Sequence, residues 1–464
     1  MAAGYWPRPW TCEDGGPRRW GTPGDGGGLG IAPGERLEVV AARDAFATDA
    51  LVRREPGELF ALRNDLADRG GRPLAPVECW VERLDSESMA PLARSRRLPA
   101  GAWWPGGIAA HANGDLYVVS GAWAHRLDPG LAVLASHRLP ADRPHNSFVL
   151  LDGGELVVKD CDVSEAREPA TVSALDPETL LPVAPPLRLP EASIARLASD
   201  GESAIALGTT RAFRLRLDRG RGRIVLDGSW RPAYGPAPGR SYGWDPVITD
   251  QHVLWLDNGR NRTDRTMLGS GIASDPLRLW WARRDDGRID STEVSGIGRG
   301  TVSNPPGWDP EGGIVVGYDS GNAVVAAWRI EGDALVRLWR RDGIAHAGHL
   351  IVHPDTRELV AGDWRDRSSL RHPAIRAAAG ALSRRFAASA RLRRASLRTG
   401  HDRLVVLDLD TGAGKAAVDV PSPVQSFNFP APGFGRDVYY QSLTTIARIA
   451  VTADGAGAGR TSPT

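Results

Sequence analysis

Lysine is almost missing from this chain: Lys159 and Lys415 are the only two among 57 basic residues. Arginine supplies the rest, a bias expected of a GC-rich coding sequence, and no function follows from it alone. Cysteine is equally scarce. Cys12, Cys79 and Cys161 are odd in number and far apart, which argues against a disulfide framework or a cysteine-based zinc site. No run of eighteen apolar residues occurs, so no transmembrane helix is expected. The first thirty residues carry Gly, Pro, Arg and Trp but no apolar h-region, so a signal peptide is not expected either. A cytoplasmic setting follows, in which the sequon at Asn261-Arg262-Thr263 has no meaning. An excess of either charge is also absent. The formal net charge of +1 gives no bulk attraction to nucleic acid or to a membrane.

What the chain does contain is a repeat. Helical periodicity is weak over most of the 464 residues. Short apolar runs are bounded instead by Gly, Pro, Asn and Asp, the pattern of an all-β protein. A strand, a polar turn and a second apolar strand recur, clearest at 106–119 (GGIAAHANGDLYVV), 147–160 (SFVLLDGGELVVKD) and 307–319 (GWDPEGGIVVGYD). Further copies stand at 50–63, 196–207, 246–257, 349–363 and 428–440. Their spacing of roughly forty to sixty residues, with one insertion set aside, suits four-stranded propeller blades. The prediction is a single closed β-propeller of eight blades, with seven as the alternative because the first and fourth copies are weak. Two β-sandwiches would explain the strands but not the regular unit. The last copy has only three strands, ending near Val451, and Arg36–Ala41 (RLEVVA) is expected to supply the fourth and close the ring. The propeller then occupies 35–451, after an irregular segment 1–34 and before a disordered tail 452–464.

The first strand of each blade lines the central channel. Aligning the copies on the first apolar residue of the second strand places Asp49, Gly106, Asn146, Ile194, Gly243, Asn304, His349 and Asn428 at one height. Asp245 lies two residues beyond Gly243, and His145, Ser303 and His346 are neighbours of the column. The second strands end in Asp160, Asp257, Asp319 and Asp363. Antiparallel pairing puts those ends beside the starts of the first strands, so both columns belong to one mouth of the channel. Oxygen donors of this kind suit a hard cation, calcium first; histidine shifts the choice toward a transition metal. The expected ligands are Asp49, Asn146, Asp245, Asn304 and Asn428, backed by Asp160, Asp257, Asp319 and Asp363. His145, His346 or His349 would serve as ligand or general base, and Trp103, Trp104 and Trp244 would line the pocket. The plainer reading is that inner-strand polar residues only hydrate the channel and that the aspartates cap turns.

On these residues the chain resembles the gluconolactonase and paraoxonase type of propeller hydrolase, which holds calcium at the mouth with Asn, Asp and Glu. The resemblance implies a ligand role for Asn146, Asp245, Asn304 and Asn428. It departs from that pattern in having no Glu in the column and in its histidines. Pro144-His145-Asn146-Ser147 and His346-Ala347-Gly348-His349 resemble, more weakly, the histidine-bearing inner strands of bacterial arylsulfotransferases. Iron-dependent carotenoid-cleaving propellers use four inner-strand histidines, against one here.

Gly239-Arg240-Ser241-Tyr242-Gly243 matches G-x-S-x-G but lies in a Pro/Gly-rich loop with no helix to follow, so it is not a nucleophile elbow. Residues 24–30 (GDGGGLG) lack the spacing of a phosphate loop. Residues 365–401 interrupt the repeat. Within them 370–398 is Ala- and Arg-rich with apolar residues at helical spacing, and is expected as a helical insertion on the mouth face. It would act as a lid, as a contact to an anionic membrane surface, or as a plain solvated segment. The functional expectation is a metal-dependent enzyme acting on a small molecule, by ester or lactone hydrolysis. The alternatives are a non-catalytic propeller binding a ligand or protein, a histidine-based group-transfer enzyme and an iron-dependent enzyme.

Overall fold

The computed structural model describes residues 4–24, 27–65, 76–102, 104–162, 167–235, 243–257, 267–366, 397, 400–423, 425 and 429–453. Eight antiparallel sheets form a closed ring. The eight expected copies each become one blade, including the weak first and fourth. The innermost strands are Thr48–Arg53, Gly107–Ala110, His145–Leu150, Ala198–Ser199, Val247–Ile248, Gly307–Asp309, Ile351–His353 and Ala431–Pro432. In six of the eight blades the second strand is buried throughout, as in Leu116–Ser120 and Ile314–Asp319, because both faces pack against neighbouring blades; Arg63 in blade one and Arg365 in blade seven are the exceptions. Outer strands alternate instead, as Val133–Arg138 does with every second residue exposed. That is the period-two signature of a strand half in water.

The ring closes as the sequence suggests. Glu35–Asp44 pairs antiparallel with Thr445–Ala453 from the far end of the chain, with a bulge between Val39 and Ala41. The closing strand is longer than the expected 36–41. Blade seven carries the insertion between its second strand, Glu358–Asp366, and its third, Gly400–Asp408, so it leaves from the mouth face. The helix expected in 370–398 falls almost wholly outside the described residues.

The N-terminal segment is not a loose preface. Its backbone threads across the opposite face and hydrogen-bonds to the far end of nearly every inner strand. Ala110 donates to Thr11 O (2.8 Å), Arg53 to Trp10 O (2.9 Å) and Leu150 to the Tyr5 hydroxyl (2.9 Å). Ser199 donates to Pro17 O (2.8 Å), Ile248 to Arg18 O (3.0 Å), Trp308 to Trp20 O (3.0 Å) and Val352 to Gly21 O (2.8 Å). Arg436, in blade eight, completes the circuit by donating Nε–H to Leu29 O (2.7 Å). Inner strands are sheet edges with unpaired amides, and this belt satisfies them. Gly21 is required at its position: φ is +67°, and a Cβ would stand 2.6 Å from Leu350 O.

The belt also delivers charge to the channel. Glu13, Asp14 and Arg19 are 3–4% exposed. Arg19 donates to Asp14 (2.7 Å), to Leu197 O (2.6 Å) and, more weakly, to Glu13 (3.4 Å). Asp14 and Arg19 both adopt left-handed backbone, at φ +61° and +58°, a conformation costly for side-chain-bearing residues. Removing one partner of a buried ion pair typically costs about 3–5 kcal/mol, because it strands the other charge. Arg19→Met is therefore expected to lower unfolding free energy by about that amount in urea titrations at pH 7. An unchanged midpoint and slope would mean that the belt is not held by these pairs.

Candidate functional site: the axial channel

The ring of inner-strand residues exists, and β-bulges aim it inward. Register shifts fall between Thr48 and Ala50, which isolates Asp49, and between His145 and Phe148, which isolates Asn146 and Ser147. Ser147 is pushed to φ +147° in doing so. Bulges re-aim side chains in this way. Asp49, Asn146, Asp245, Asn304 and His349 are all buried, at 3% exposure or less. Asn428 and Trp103 lie outside the described residues.

What the ring residues touch differs from the expected metal centre. Asp49 accepts from Asn64 Nδ2 at 2.9 Å. Asn146 donates to Ile194 O. Asp245 accepts from the Arg196 backbone amide (2.6 Å) and guanidinium (3.5 Å). Asn304 donates to Ser303 Oγ at 3.0 Å. Among the described residues no group of three His, Cys, Asp or Glu is arranged to hold a metal ion. Four of the five expected ligands are thus hydrogen-bonded to protein groups.

The outer column has a structural task. Asp160 accepts from the Thr171 amide (2.8 Å) and from Arg143 (2.9 Å), and Asp363 from the Ala345 and Trp364 amides (3.0 and 2.8 Å). Asp319 accepts from Ser295 Oγ (2.6 Å) and from the Thr301 and Asn322 amides (both 3.2 Å). Asp257 accepts from Trp280 Nε1 at 3.4 Å. These aspartates tie the mouth-side loops to their own or the adjoining strands.

Two of the three histidines are likewise committed. His145 donates Nδ1–H to Gly121 O (2.9 Å) and Arg143 O (3.1 Å), and burial lowers its pKa to about 4. His346 accepts the Gly362 amide at Nδ1 (2.9 Å) and faces Gly348 O with Nε2 (3.1 Å); burial lowers it to about 3. Both are neutral at pH 7 and fixed in the wall.

His349 is different. Its Nδ1 is hydrogen-bonded to Asp14 of the belt. Burial opposes ionisation of Asp14, but His349 and Arg19 outweigh it and hold the carboxyl down at about 2. An ionised carboxylate only accepts, so Nδ1 carries a proton. Nε2 is buried and has no hydrogen-bond partner among the described residues. The imidazole stacks on Phe429 with ring centroids 4.1 Å apart, and the Arg196 guanidinium lies 4.6 Å from the same ring. Arg196 Nε and Asn304 Oδ1 are also buried without a hydrogen-bond partner among the described residues. The channel thus holds a base, a cationic donor and an amide acceptor, each with one buried atom that lacks a hydrogen-bond partner among the described residues, while Arg196 also forms ion pairs with Glu13 (Nε to Oε1, 3.7 Å) and Asp245 (3.5 Å). Trp104 and Trp244 pack nearby on Cys161 and Ile194.

Inner-strand alignment found Asp245, Asn304 and His349 but missed Glu13, Asp14, Arg19, Arg196 and Phe429. The acidic pair beside Cys12, in a segment otherwise of Gly, Pro, Arg and Trp, was the one signal available for the belt.

No known protein family matches the chain, and neither does any curated protein. Among solved structures it is similar to the quinohemoprotein alcohol dehydrogenase of Comamonas testosteroni, with a TM-score of 0.64 at 10% identity over 100% of this chain and 83% of that one. It is also similar to a quinohemoprotein alcohol dehydrogenase of Pseudomonas putida HK5, with a TM-score of 0.50 at 11% identity over 92% of this chain and 78% of that one. The shared feature is the propeller fold. At such identity the likeness carries no chemistry, and neither structure is a gluconolactonase or paraoxonase. The sequence also contains no C-x-x-C-H for covalent haem.

One buried acid lies away from the axis, at the seam of blades seven and eight. Burial raises Asp402 to about 8 against the opposing hydrogen bonds of Tyr440 and Ser422. The unfolded chain ionises near pH 4 and the folded one near 8. Wild-type stability is therefore expected to fall, relative to Asp402→Asn, as pH rises from about 4 to 8, and to level off above. Paired denaturation curves at pH 4, 6, 8 and 9 check this; a wild-type stability that holds or rises relative to Asp402→Asn between pH 4 and 8 would contradict it.

Proposed function

We propose that this protein is an enzyme acting on a small molecule in the axial channel, by hydrolysis of an ester or lactone. The observation that carries the reading is the Asp14–His349 pair with a buried, unpartnered Nε2. A carboxylate on Nδ1 fixes the tautomer and supports the imidazolium that forms when Nε2 takes a proton from water. Arg196 Nε–H is the donor for the oxyanion that develops on the attacked carbonyl. Phe429 holds the base and the donor against one ring. The acids Glu13, Asp14 and Asp245 each form an ion pair with Arg19 or Arg196.

No step here needs a divalent ion. Asn304 Oδ1 and His349 Nε2 are the donors left for one, and calcium is the weaker part of the original expectation. A non-catalytic propeller that binds a neutral ligand is the second reading, favoured by the belt that closes one end of the channel.

The test is turnover of a p-nitrophenyl ester and γ-lactone panel, with and without chelator. Hydrolysis is expected to survive chelation and to fall by about 10²–10⁴ in His349→Gln, with the circular dichroism spectrum unchanged. Absence of turnover across the panel would overturn the reading in favour of the binding role, and full activity in a folded His349→Gln would remove His349 as the base.

A further inference from the structure

The two lysines of this arginine-rich chain sit in opposite settings. Lys415 forms an ion pair with Glu358 at 3.1 Å. Among the described residues arginine, and at three places histidine, does that work elsewhere. Lys159 makes no ion pair among the described residues. It is 1% exposed, on the second strand of blade three, Leu156–Asp160, and its Nζ donates to Ser193 O (2.8 Å) and Asp160 O (3.2 Å). Arginine cannot lose its proton in a protein, whereas lysine can when buried. The groups that face Lys159 are Asp160, Cys161 and Asp245, which favour its charged form, and Arg196, which opposes it. Burial is the largest influence, and its pKa is lowered.

Ser193, whose carbonyl anchors that amine, is also 1% exposed, and its hydroxyl has no hydrogen-bond partner among the described residues. A buried hydroxyl left unpaired costs stability. The residue after Ser193 and the residue after Asp160 belong to an apolar wall made of Ile194, Cys161 and Trp244, with half-buried Trp104 against it. An amine, an unpaired serine and an apolar wall therefore meet on the channel side of blades three and four.

We propose that Ser193 and Lys159 form a nucleophile–base pair that takes the acyl group of an apolar ester, its hydrocarbon part lying on Trp104 and Trp244. The inference rests on the reading of the channel as a site of ester hydrolysis and supplies its nucleophile. A neutral Nζ spends two N–H bonds on the Ser193 and Asp160 carbonyls and keeps its lone pair. A rotamer change of Ser193 brings Oγ to that lone pair. The Oγ–H proton passes to Nζ as Oγ adds to the carbonyl carbon. The ester C–O bond then breaks, and the ammonium returns the proton to the leaving alkoxide. Water then hydrolyses the acyl-serine: His349 Nε2 takes its proton as it adds to the acyl carbon, the Oγ–C bond breaks, and the imidazolium's proton restores Oγ–H. Serine–lysine pairs of this kind recur on unrelated folds.

The experiment uses the full chain and a short-chain alkyl fluorophosphonate, with the labelled residue read by peptide mass spectrometry. The adduct is expected on Ser193. Its formation rate is expected to rise with pH through a midpoint below the ordinary lysine range, and to drop by about 10²-fold or more in Lys159→Arg and Lys159→Met. Two replacements guard against a side chain that does not fit the cavity, and each is checked by its melting curve. A folded wild type with no adduct on Ser193, or a Lys159 variant labelled at the wild-type rate, would overturn the pair. The two readings separate cleanly. Ester turnover that is lost in His349→Gln yet intact in Ser193→Ala removes the pair and leaves the channel reading. A Lys159-dependent adduct on Ser193 without turnover of any ester supports the pair and removes the hydrolase.

Discussion

The rest of this structure depends on ion pairs buried inside the propeller: Arg19 against Asp14 and Glu13, with Asp14 in turn holding His349. Charges removed from water are tolerated only when paired. Each of the belt's three buried charged residues has its partner within the belt or on the channel wall. The belt can therefore occupy one end of the channel only if its acids, its arginine and the ring histidine arrive together. Residues 10–14 and Arg19 are thereby part of the propeller's interior. The pairing also explains why two left-handed, non-glycine residues are tolerated there. The inward aim they impose lets the charges meet.

The same constraint reorganises the channel. A ring of Asp, Asn and His on adjacent blades invites a cation when the ring is considered alone. With Arg19 and Arg196 in place, the cationic role is already filled by the protein. Asp245 turns to Arg196, Asn146 to the Ile194 carbonyl and Asp14 to His349. Among the described residues, the buried atoms left without a hydrogen-bond partner include His349 Nε2, Arg196 Nε, Asn304 Oδ1, Glu13 Oε2 and, toward blades three and four, Ser193 Oγ. Buried polar atoms without partners are expensive, so they mark where a ligand's own polar atoms would be received.

Much of the fold could be read from the chain because blades are local. A strand, a turn and the next strand are neighbours in sequence, and eight copies announce eight blades. Even Arg36–Ala41 as the closing strand was visible, since the last copy lacked a fourth strand. The heights of Asp49, Asn146, Asn304 and His349 followed from the repeat for the same reason. Their partners did not. Asp14 is 335 positions from His349, and Arg196 is 49 from Asp245; no local pattern announces such pairs. His145 and His346 look identical to His349 in sequence. They differ only in whether a backbone carbonyl or amide happens to reach the ring nitrogens. Lys159 stood out by composition alone, and only its burial and its carbonyl anchors gave that oddity a meaning.

The central claim is that Asp14 holds His349 with its proton on Nδ1 and its lone pair on Nε2. Nitrogen-15 NMR of the full chain, labelled at histidine and assigned through His349→Gln, reads that tautomer directly. The account predicts a protonated Nδ1 with a strongly downfield, slowly exchanging proton, and an unprotonated Nε2 at pH 7. It also predicts that Asp14→Asn removes the downfield signal. A His349 ring protonated on Nε2 alone, or a signal indifferent to Asp14→Asn, would contradict it.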